Sequence, residues 1–588
     1  MKKRRTSSNK GAYKRLFAAM GKYKGRLIFA VLFVLIATVC YSLAPLFIGR
    51  ATDTLGEIFK GDTSLLSRFF LFLILMGGAY LLNAVFSYLA TWLIVAVTEN
   101  TIFDLRKQID DKLSRLPLNY YDTHTYGDIL SRITNDVDTV SNSLQQSIYQ
   151  VLNAVFTIVI VFVIMFRISG VLTLIALLIV PVVLYICAKI AKRSKKAFDT
   201  QQNKTGELNG FVEEYYGGHV VVSVFGKEKE VEEDFEQTNE ELYEASRTGQ
   251  FLSGTLMPIM QSMTNFGYAM VCLVGAILAI LGGLSIGMIQ SFTQYLRQFS
   301  QPLTQVMQIS GIIQSTGSAA ARIFEFLDED EEIADTTTPQ FPAKLNGEVQ
   351  FDHIKFGYLP YRTLIHDLDI TVHAGEKTAI VGPTGAGKTT LINLIMRFYD
   401  VKGGSIRIDG VDIRDMERSR LREIFGMVLQ DTWLYSGTIR ENIRYGKLDA
   451  TDEEVEEAAK KAHADAFIQM LPGGYDFVLH EGAANIAQGQ RQLLTIARAM
   501  LSDPPILILD EATSSVDTRT EVLIQQAMAE MMKGRTSFVI AHRLSTIKDS
   551  DNILYMQDGD ILEVGNHESL MARDGLYAKL YNSQFSEE

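Results

Sequence analysis

The fold of this chain is decided by residues 381–390, Val-Gly-Pro-Thr-Gly-Ala-Gly-Lys-Thr-Thr. This stretch fills every fixed position of G-x-x-x-x-G-K-[ST], a loop whose backbone N–H groups surround phosphate. An apolar run at 378–381 predicts a buried strand before the loop, and 391–398, without Gly or Pro, predicts a helix after it. Lys388 is expected to reach the phosphates, and the Thr389 hydroxyl to bind Mg²⁺. The predicted phosphate-loop contacts are Gly382, Pro383, Thr384, Gly385, Ala386, Gly387, Lys388, Thr389 and Thr390.

A second apolar strand, 506–509, ends in two acids, Asp510 and Glu511. Asp510 is placed to hold Mg²⁺, directly or through water, and Glu511 to orient or deprotonate an attacking water molecule. Gln430 follows another strand-like run and is expected to reach the metal or the water. Together with the phosphate loop, these residues predict an ATP-hydrolysing site with Thr389, Gln430 and Asp510 around the metal.

Two aromatic candidates have weaker signals. His542 ends the strand-like run 537–541, and an isolated His at a strand end is structural more often than catalytic, so both roles stay open. Tyr358 follows Phe356-Gly357 and has the flat ring needed to stack on adenine.

Composition divides the 588 residues into two unlike parts. Apolar residues make up 47% of the chain and are concentrated in long runs before about residue 320. The net charge of −12 argues against a nucleic-acid binder. Three cysteines, Cys40, Cys187 and Cys272, lie inside apolar runs and predict neither a disulfide framework nor a metal site.

The apolar runs are long enough to cross a bilayer, which takes about twenty mostly apolar residues. Six spans are predicted, at Leu27–Gly49, Phe69–Val97, Ile148–Phe166, Ile168–Ile190, Leu256–Leu281 and Ile286–Ile312. The third and fourth spans are separated by little more than Arg167, so they predict a tight hairpin. An even number of spans, the basic N-terminus and the lysines after span four predict a multi-pass cell-membrane protein with the N-terminus and ATP-binding half in the cytoplasm.

The segments after spans two and four are long, and their periodicity predicts helical extensions into the cytoplasm. Glycines interrupt both patterns, at Tyr126-Gly127-Asp128 and at Tyr215-Tyr216-Gly217-Gly218. We expect each chain reversal to present a short helix to the domain below; the alternative is a solvated loop.

Span six is unusually polar, with Gln290, Gln294, Gln298, Gln301, Gln305 and Gln308 at spacings of three and four and with Tyr295 and Arg297 among them. Such a helical stripe is unsuited to lipid tails and indicates a bundle interior or a polar pathway. Helix–helix hydrogen bonding is the alternative for each single glutamine. Span five adds methionines and Phe266, which suit hydrophobic or cationic amphiphiles. The predicted pathway residues are Gln261, Phe266, Gln290, Gln294, Tyr295, Gln298 and Gln301.

Residues 485–490, Asn-Ile-Ala-Gln-Gly-Gln, form a Gly-containing turn that opens a helix, a second place for an anion to bind. With this turn the chain resembles, over essentially its whole length, the ATP-binding cassette (ABC) exporters of the half-transporter kind. The resemblance implies a helical membrane domain (1–325), a linker (326–345) and an α/β nucleotide-binding domain (346–588). It also implies roles: Walker A at Gly382–Thr389, Walker B ending at Asp510, catalytic Glu511, Q-loop Gln430, switch His542, D-loop Asp517 and adenine-stacking Tyr358.

The same resemblance implies a dimer in which two ATP molecules, with Mg²⁺, lie between the Walker A loop of one chain and the signature turn of the other. It further implies that the turns near Tyr126–Asp128 and Tyr215–Gly218 are the coupling helices. The signature of this chain is Ala487, Gln488, Gly489 and Gln490, where the family usually has serine first. Family members that keep the catalytic glutamate but have an altered signature are often paired with a different chain, so a heterodimer is expected. The alternatives are a homodimer that tolerates Ala487 and an engineered substitution at this position.

Three functions are compatible with the sequence. The first is multidrug efflux of hydrophobic or amphipathic compounds, driven by ATP through alternating access. The second is export of lipid or peptide, the peptide version being weakened by the lack of an N-terminal peptidase-like domain. The third is an ATP-gated channel or regulatory membrane subunit, which would show ion flux without coupled ATP turnover.

Overall fold

The chain is seen in a computed structural model that describes residues 9–359, 361–429, 432–510, 516–541 and 544–585. It divides into two compact units. The first comprises Met1–Arg115 and His124–Glu329, and the second comprises Leu116–Thr123 and Asp330–Glu588.

Long helices build the first unit, and one short helix of the same stretch belongs to the second. In chain order the helices are α1 (Asn9–Met20), α2 (Lys24–Phe59), α3 (Leu66–Leu113), α4 (Leu118–Thr123), α5 (Tyr126–Ser131), α6 (Val137–Ile168), α7 (Gly170–Gly217), α8 (His219–Phe225), α9 (Glu228–Ile280) and α10 (Ile286–Leu327). A π-helical turn, Arg132–Asp136, joins α5 to α6.

The predicted spans lie in α2, α3, α6, α7, α9 and α10, the fourth starting at Gly170. The predicted hairpin is confirmed, because Ser169 alone separates α6 from α7. Over the described residues, four helical stretches are long and apolar enough to cross a membrane, namely Gly11–Phe59, Thr63–Leu113, Tyr126–Ile168 and Glu228–Ile280, so the fourth and sixth predicted spans, in α7 and α10, are not among them. The predicted helical extensions are confirmed as well, since α3, α6, α7 and α9 continue well beyond their apolar segments.

Helix α10 packs against α2 at very short range. A Cβ atom on Gly287 would lie 1.9 Å from the Gly49 carbonyl oxygen, so only glycine fits there. The Asp53 carboxylate accepts hydrogen bonds from the Gly287 N–H at 2.7 Å and the Ser285 hydroxyl at 2.5 Å, which satisfies the N-terminus of α10. Further along, the buried Tyr295 hydroxyl donates to the Ser42 carbonyl at 2.6 Å. Small residues and polar contacts therefore hold α10 to α2, as expected where the hydrophobic effect does not drive helix association.

The position of the first coupling segment differs from the prediction. The residues that pack in the second unit are Leu116–Thr123, and the unit boundary falls at His124, before the predicted Tyr126–Asp128 turn. Helix α4 starts directly after Pro117, whose fixed φ suits the position before a first helical turn. This proline was the local signal that the glycine-based prediction missed.

The second unit contains the strands β1 (Val349–Phe356), β2 (Ile365–Val372), β3 (Lys377–Val381), β4 (Gly403–Ile408), β5 (Val411–Asp412), β6 (Phe425–Val428), β7 (Gly437–Thr438), β8 (Val478–Leu479), β9 (Ile506–Asp510), β10 (Thr536–Ile540), β11 (Asn552–Gln557) and β12 (Asp560–Gly565). Its helices are α11 (Lys388–Ile395), α12 (Arg418–Glu423), α13 (Ile439–Arg444), α14 (Asp452–Lys461), α15 (Asp465–Ile468), α16 (Gln488–Ser502), α17 (Thr518–Met532), α18 (Leu544–Lys548), α19 (His567–Ala572) and α20 (Leu576–Phe585).

Two main sheets form this unit. One is antiparallel with the order β2-β1-β4-β5, and the other has the order β12-β11-β3-β10-β9-β6 with parallel pairing from β11 to β6. Both faces of β3 are buried: Ala379 and Val381 lie in one apolar cluster and Ile380 in the other. A parallel strand covered on both faces reads as a continuous apolar run, which is why 378–381 was recognisable from sequence. The α-helical membrane and α/β fold classes are thus as predicted.

Candidate functional site

The loop after β3 uses its glycines for backbone geometry. Gly382, Gly385 and Gly387 have positive φ values of 150°, 84° and 101°. A Cβ atom on Gly382 would lie 2.1 Å from the Met556 carbonyl oxygen of β11. Gly387 then occupies the N-cap position of α11. The loop is therefore wrapped around a helix N-terminus whose N–H groups favour anions.

Lys388 is the first residue of α11 and is half-buried. Its Nζ donates to the Gly382 carbonyl at 2.7 Å and the Pro383 carbonyl at 3.0 Å. Burial lowers the pKa of Lys388, and the nearby Asp510 carboxylate opposes that shift. The ammonium group is thus held beside the loop that is expected to receive phosphate.

Strand register brings Asp510 to the same edge of the sheet. Ile540 of β10 pairs with Ile380 on one side and with Asp510 on the other, so the ends of β3, β10 and β9 are level. A cleft of about 320 Å³ opens there. It is lined by Leu364, Thr384, Gly385, Ala386, Gly387, Lys388, Thr389, Thr390, Asp510 and Ile540. Residues more than a hundred positions apart in the chain thereby share one pocket.

Tyr358 lies next to this cleft. Its hydroxyl donates to the Thr390 Oγ1 at 3.0 Å, and its ring centroid is 5.1 Å from that of Tyr399 in an edge-on arrangement. The residue is 43% exposed. A partly exposed ring tied to the helix after the phosphate loop is placed where a nucleotide base could stack.

Three predicted residues, Gln430, Glu511 and His542, lie outside the described residues. The strands that precede them end at Val428, Asp510 and Ile540.

The predicted signature turn opens α16, with Ala487 at the N-cap. The Ala487 N–H donates to the Gln490 side-chain oxygen at 3.1 Å, which is one half of a capping box. The other half is missing, because a methyl group cannot accept the hydrogen bond that a serine hydroxyl would accept. Gln488 is the first residue of α16, so its backbone N–H belongs to the free helix end.

Gly489 packs closely against the segment that follows the acidic strand. A Cβ atom there would lie 2.5 Å from Thr520 Cγ2 and 2.8 Å from Val516 Cγ1. Asp517 caps α17, accepting the Thr520 N–H at 3.0 Å, and these backbone hydrogen bonds lower the pKa of Asp517. The turn that opens α16 therefore packs against Val516 and Thr520, a contact that the sequence did not show.

The predicted pathway residues fall into two groups. Tyr295 and Gln298 are buried, and Gln298 Nε2 donates to the Tyr41 carbonyl at 3.5 Å, so both contact α2. Gln290 accepts a hydrogen bond from Thr52 at 2.5 Å and stays largely exposed. Gln294 is half-buried, whereas Gln261, Phe266 and Gln301 are exposed on α9 and α10. Tyr295, Gln298 and Gln290 thus contact α2, whereas Gln261, Phe266 and Gln301 are exposed and Gln294 is half-buried.

Comparison with known proteins agrees with this architecture. A family model described as "ABC transporter transmembrane region" matches residues 27–303, and one described as "ABC transporter" matches residues 365–514. The "Fatty acid ABC transporter ATP-binding/permease protein" of Mycobacterium bovis is 46% identical over 85% of this chain and 79% of its own length. The "ATP-dependent lipid A-core flippase" of Syntrophus aciditrophicus is 34% identical over 98% of this chain and 95% of its own. The solved structure of a bacterial Atm1-family ABC exporter with ATP bound has a TM-score of 0.76 at 30% identity, covering 96% of this chain and 98% of that one.

Fold and site define a P-loop ATPase domain joined to a multi-pass helical membrane domain. The chain belongs to the ABC transporter family, as a half-transporter of the exporter type whose ATP hydrolysis is coupled to transport.

Proposed function

We propose that this chain exports lipid-like amphiphiles as one half of a dimer. The main supporting observation is the exposed side of α9 and α10, where the amides of Gln261 and Gln301 are accompanied by Met257, one turn before Gln261 on the same side of α9. A lining that is polar and apolar side by side suits a molecule with a head group and a hydrocarbon tail. Two of its relatives are named as a fatty acid transporter and a lipid A-core flippase. The lipid alternative therefore has more support than the multidrug prediction.

The same proposal assigns a role to each residue of the ATP site. Lys388 and the loop 382–390 hold the phosphates, Tyr358 stacks on the base, and Glu511 activates water. Mg²⁺ commonly binds one or two protein oxygens together with nucleotide phosphates, and Thr389 and Asp510, lining one cleft, fit that requirement. Gln430 and His542 complete the set from the sequence motifs. The metal would neutralise charge on the transferred phosphoryl group.

Closure of two nucleotide-binding domains around ATP would drive the membrane helices from inward-facing to outward-facing. Helix α8 supports an assembly of two chains, because its apolar residues Val220, Val224 and Phe225 are 74%, 76% and 73% exposed. Such a patch marks a contact surface. The partner we propose is a different half-transporter, since Ala487 leaves the signature helix of this chain without its capping hydroxyl. The proposed boundaries are 1–325, 326–345 and 346–588.

The test is ATPase activity of the purified transporter in nanodiscs, with fatty acids, phospholipids and cationic drugs added separately. Stimulation by the lipid-chain amphiphiles above that by the drugs supports the proposal. Stimulation only by the drugs restores the multidrug alternative, and ion conductance without stimulated turnover points to a channel. A second measurement compares this chain purified alone with this chain purified together with its candidate partner. ATP hydrolysis by the chain alone indicates a homodimer, and hydrolysis only by the joint preparation indicates a heterodimer.

A further inference from the structure

The six predicted spans contain two charged residues, Lys189 and Arg297, and no Asp or Glu. Lys189 is the penultimate residue of its span, so its long side chain can reach the membrane–water interface. Arg297 is eleven residues after the start of α10, which is about 16 Å along the helix and near the middle of a bilayer roughly 30 Å thick. Arg297 is therefore the single charge of the predicted spans that lies at mid-depth.

The surroundings of Arg297 hold it in place without neutralising it. Its guanidinium carbon lies 5.6 Å from the centre of the Tyr268 ring on α9, a cation–π distance. Tyr268 is twelve residues before the end of α9, so the two side chains lie at a similar depth. Among the side chains that the structure describes, Arg297 has no ion pair and no hydrogen bond. Its charge is positioned but uncompensated.

Arg297 shares its helix face with polar, accessible residues. Gln294 and Gln301, three residues before and four after, lie on the same side of α10. On α9, Gln261 and Asn265 precede Tyr268 at helical spacing and are exposed like it. The opposite side of α10 is the buried side, which carries Phe292, Tyr295 and Phe299. The polar faces of the two helices thus form one surface around the guanidinium, named here the Arg297 surface: Gln261, Asn265, Tyr268, Gln294, Arg297 and Gln301.

An uncompensated guanidinium at mid-depth is strongly disfavoured against lipid tails, so the Arg297 surface must face a cavity or a partner helix. A second copy of this chain would supply no counter-charge, because its spans contain no acid either. Since the spans of this chain supply no counter-charge, an anionic transported molecule would supply the missing negative charge.

We propose that Arg297 is a specificity-determining residue that binds the anionic head group, carboxylate or phosphate, of an amphiphilic substrate. Tyr268 positions the guanidinium from one face and leaves its N–H edge free for paired hydrogen bonds to two anion oxygens. The amides of Gln294 and Gln301 are within the same stripe to bind further head-group atoms, and Met257, which shares the Tyr268 side of α9, offers apolar contact to the tail. This inference rests on the proposed lipid-like function and narrows it to anions, against the cationic amphiphiles that the methionine-rich span suggested.

The experiment measures binding of spin-labelled stearate and of its methyl ester to the purified transporter in zwitterionic nanodiscs, by electron paramagnetic resonance. The anion is expected to bind about tenfold more tightly than the ester, the effect of one hydrogen-bonded charge. Arg297→Gln should remove that preference, Arg297→Lys should keep part of it, and Arg297→Glu should reverse it toward an alkylamine of equal length. Lys189→Gln is the matched control, in which the preference for the anion stays. Retained ATP binding by each variant shows that its ATP-binding domain is folded, and the reversal in Arg297→Glu is a gain that misfolding cannot produce.

Equal binding of stearate and its ester by the unmodified protein, or an unchanged preference in Arg297→Gln, would overturn the assignment of Arg297. Competition by inorganic phosphate as effective as by stearate would overturn the amphiphile part, leaving a simple anion site. Failure of the proposed function has a different result: neither charged nor neutral lipid chains bind or stimulate ATP hydrolysis.

Discussion

The Tyr399 phenol donates a hydrogen bond to the Asp122 carboxylate, across 277 residues of sequence. Asp122 belongs to α4, the short helix of the stretch 1–329 that packs with the nucleotide-binding unit. Tyr399 follows the helix of the phosphate loop and packs edge-on against Tyr358, the proposed base-stacking residue. Helix α4, joined through a few residues to α3, is thereby tied to the surroundings of the nucleotide.

Removing this hydrogen bond should weaken the stimulation of ATP hydrolysis by substrate more than it weakens basal ATP hydrolysis. In Tyr399→Phe the ring packing stays, so basal ATPase activity should change less than twofold while substrate-stimulated activity falls severalfold. Asp122→Ala, which removes the acceptor, should behave alike, whereas the amide oxygen of Asp122→Asn can still accept the hydrogen bond and should keep most of the stimulation. Burial, reinforced by Asp122, raises the pKa of Tyr399. A phenol ordinarily has a pKa of about 10, and with its pKa raised further the Tyr399 phenol stays protonated throughout the range from about pH 6 to 9. The difference in substrate-stimulated ATPase activity between Tyr399→Phe and the parent should therefore be constant over this range. The exposed Tyr361→Phe is the control, and equal stimulation in all variants would contradict the prediction.

Glu511→Gln should bind ATP normally and hydrolyse it at a small fraction of the parent rate. The amide keeps the size of the carboxylate but cannot accept the proton of the attacking water, an effect of about 10²–10⁴-fold. Nucleotide binding and phosphate release, measured on the same preparation, separate the two effects. Glu530→Gln, a surface acid paired with Lys533, is the matched control. Undiminished phosphate release would refute the assignment of Glu511 as the base.

Ala487→Ser should restore the capping hydroxyl of α16. We expect about 1 kcal/mol of added helix stability and slower amide hydrogen exchange in the first turn. If the hydroxyl also bonds the phosphate of ATP across the dimer, ATP affinity should rise by about tenfold. Ala487→Cys, similar in size with a weak acceptor, should show neither effect. Unchanged exchange in Ala487→Ser would show that the turn is already satisfied.

Gly489→Ala should disrupt the contact between the signature turn and α17. The new methyl group would overlap Thr520 and Val516, and overpacking of this kind costs about 1–3 kcal/mol. Faster hydrogen exchange in α16 and α17, together with lower ATPase activity, is the expected result. Gly206→Ala, at an open position of helix α7, is the control and should be harmless. Normal exchange and activity in Gly489→Ala would mean that the two segments separate readily.

Arg322 and Asp136 should show strong coupling in a double-mutant cycle. The guanidinium donates two hydrogen bonds to the Asp136 carboxylate, one from Nε at 2.8 Å, and this ion pair raises the pKa of Arg322. The Asp136 side chain is 7% exposed and that of Arg322 is 50% exposed. Arg322→Met, which strands a buried carboxylate, should therefore lower the stability by about 1–3 kcal/mol, and adding Asp136→Asn should recover part of the loss. Thermal unfolding of the parent, the two single variants and the double variant measures the coupling energy. Additive effects of the two substitutions would contradict the prediction.

The sequence alone determined the local elements of this protein. The phosphate loop, the strand ending at Asp510 and the membrane helices were predictable because a glycine pattern and a run of apolar residues act over a few neighbouring positions. The hairpin at Ser169 followed in the same way, from two apolar runs with almost no separation.

Tertiary structure decided which of these residues meet and which faces are covered. Sequence periodicity placed Tyr295 and Arg297 in one polar stripe, yet packing against α2 buries Tyr295 and leaves Arg297 exposed beside Tyr268. Likewise, the choice of α4 for the second unit, the Tyr399–Asp122 hydrogen bond and the fit of Gly489 against Thr520 depend on shape complementarity between distant segments. No local pattern encodes such contacts, because each side contributes only half of the surface.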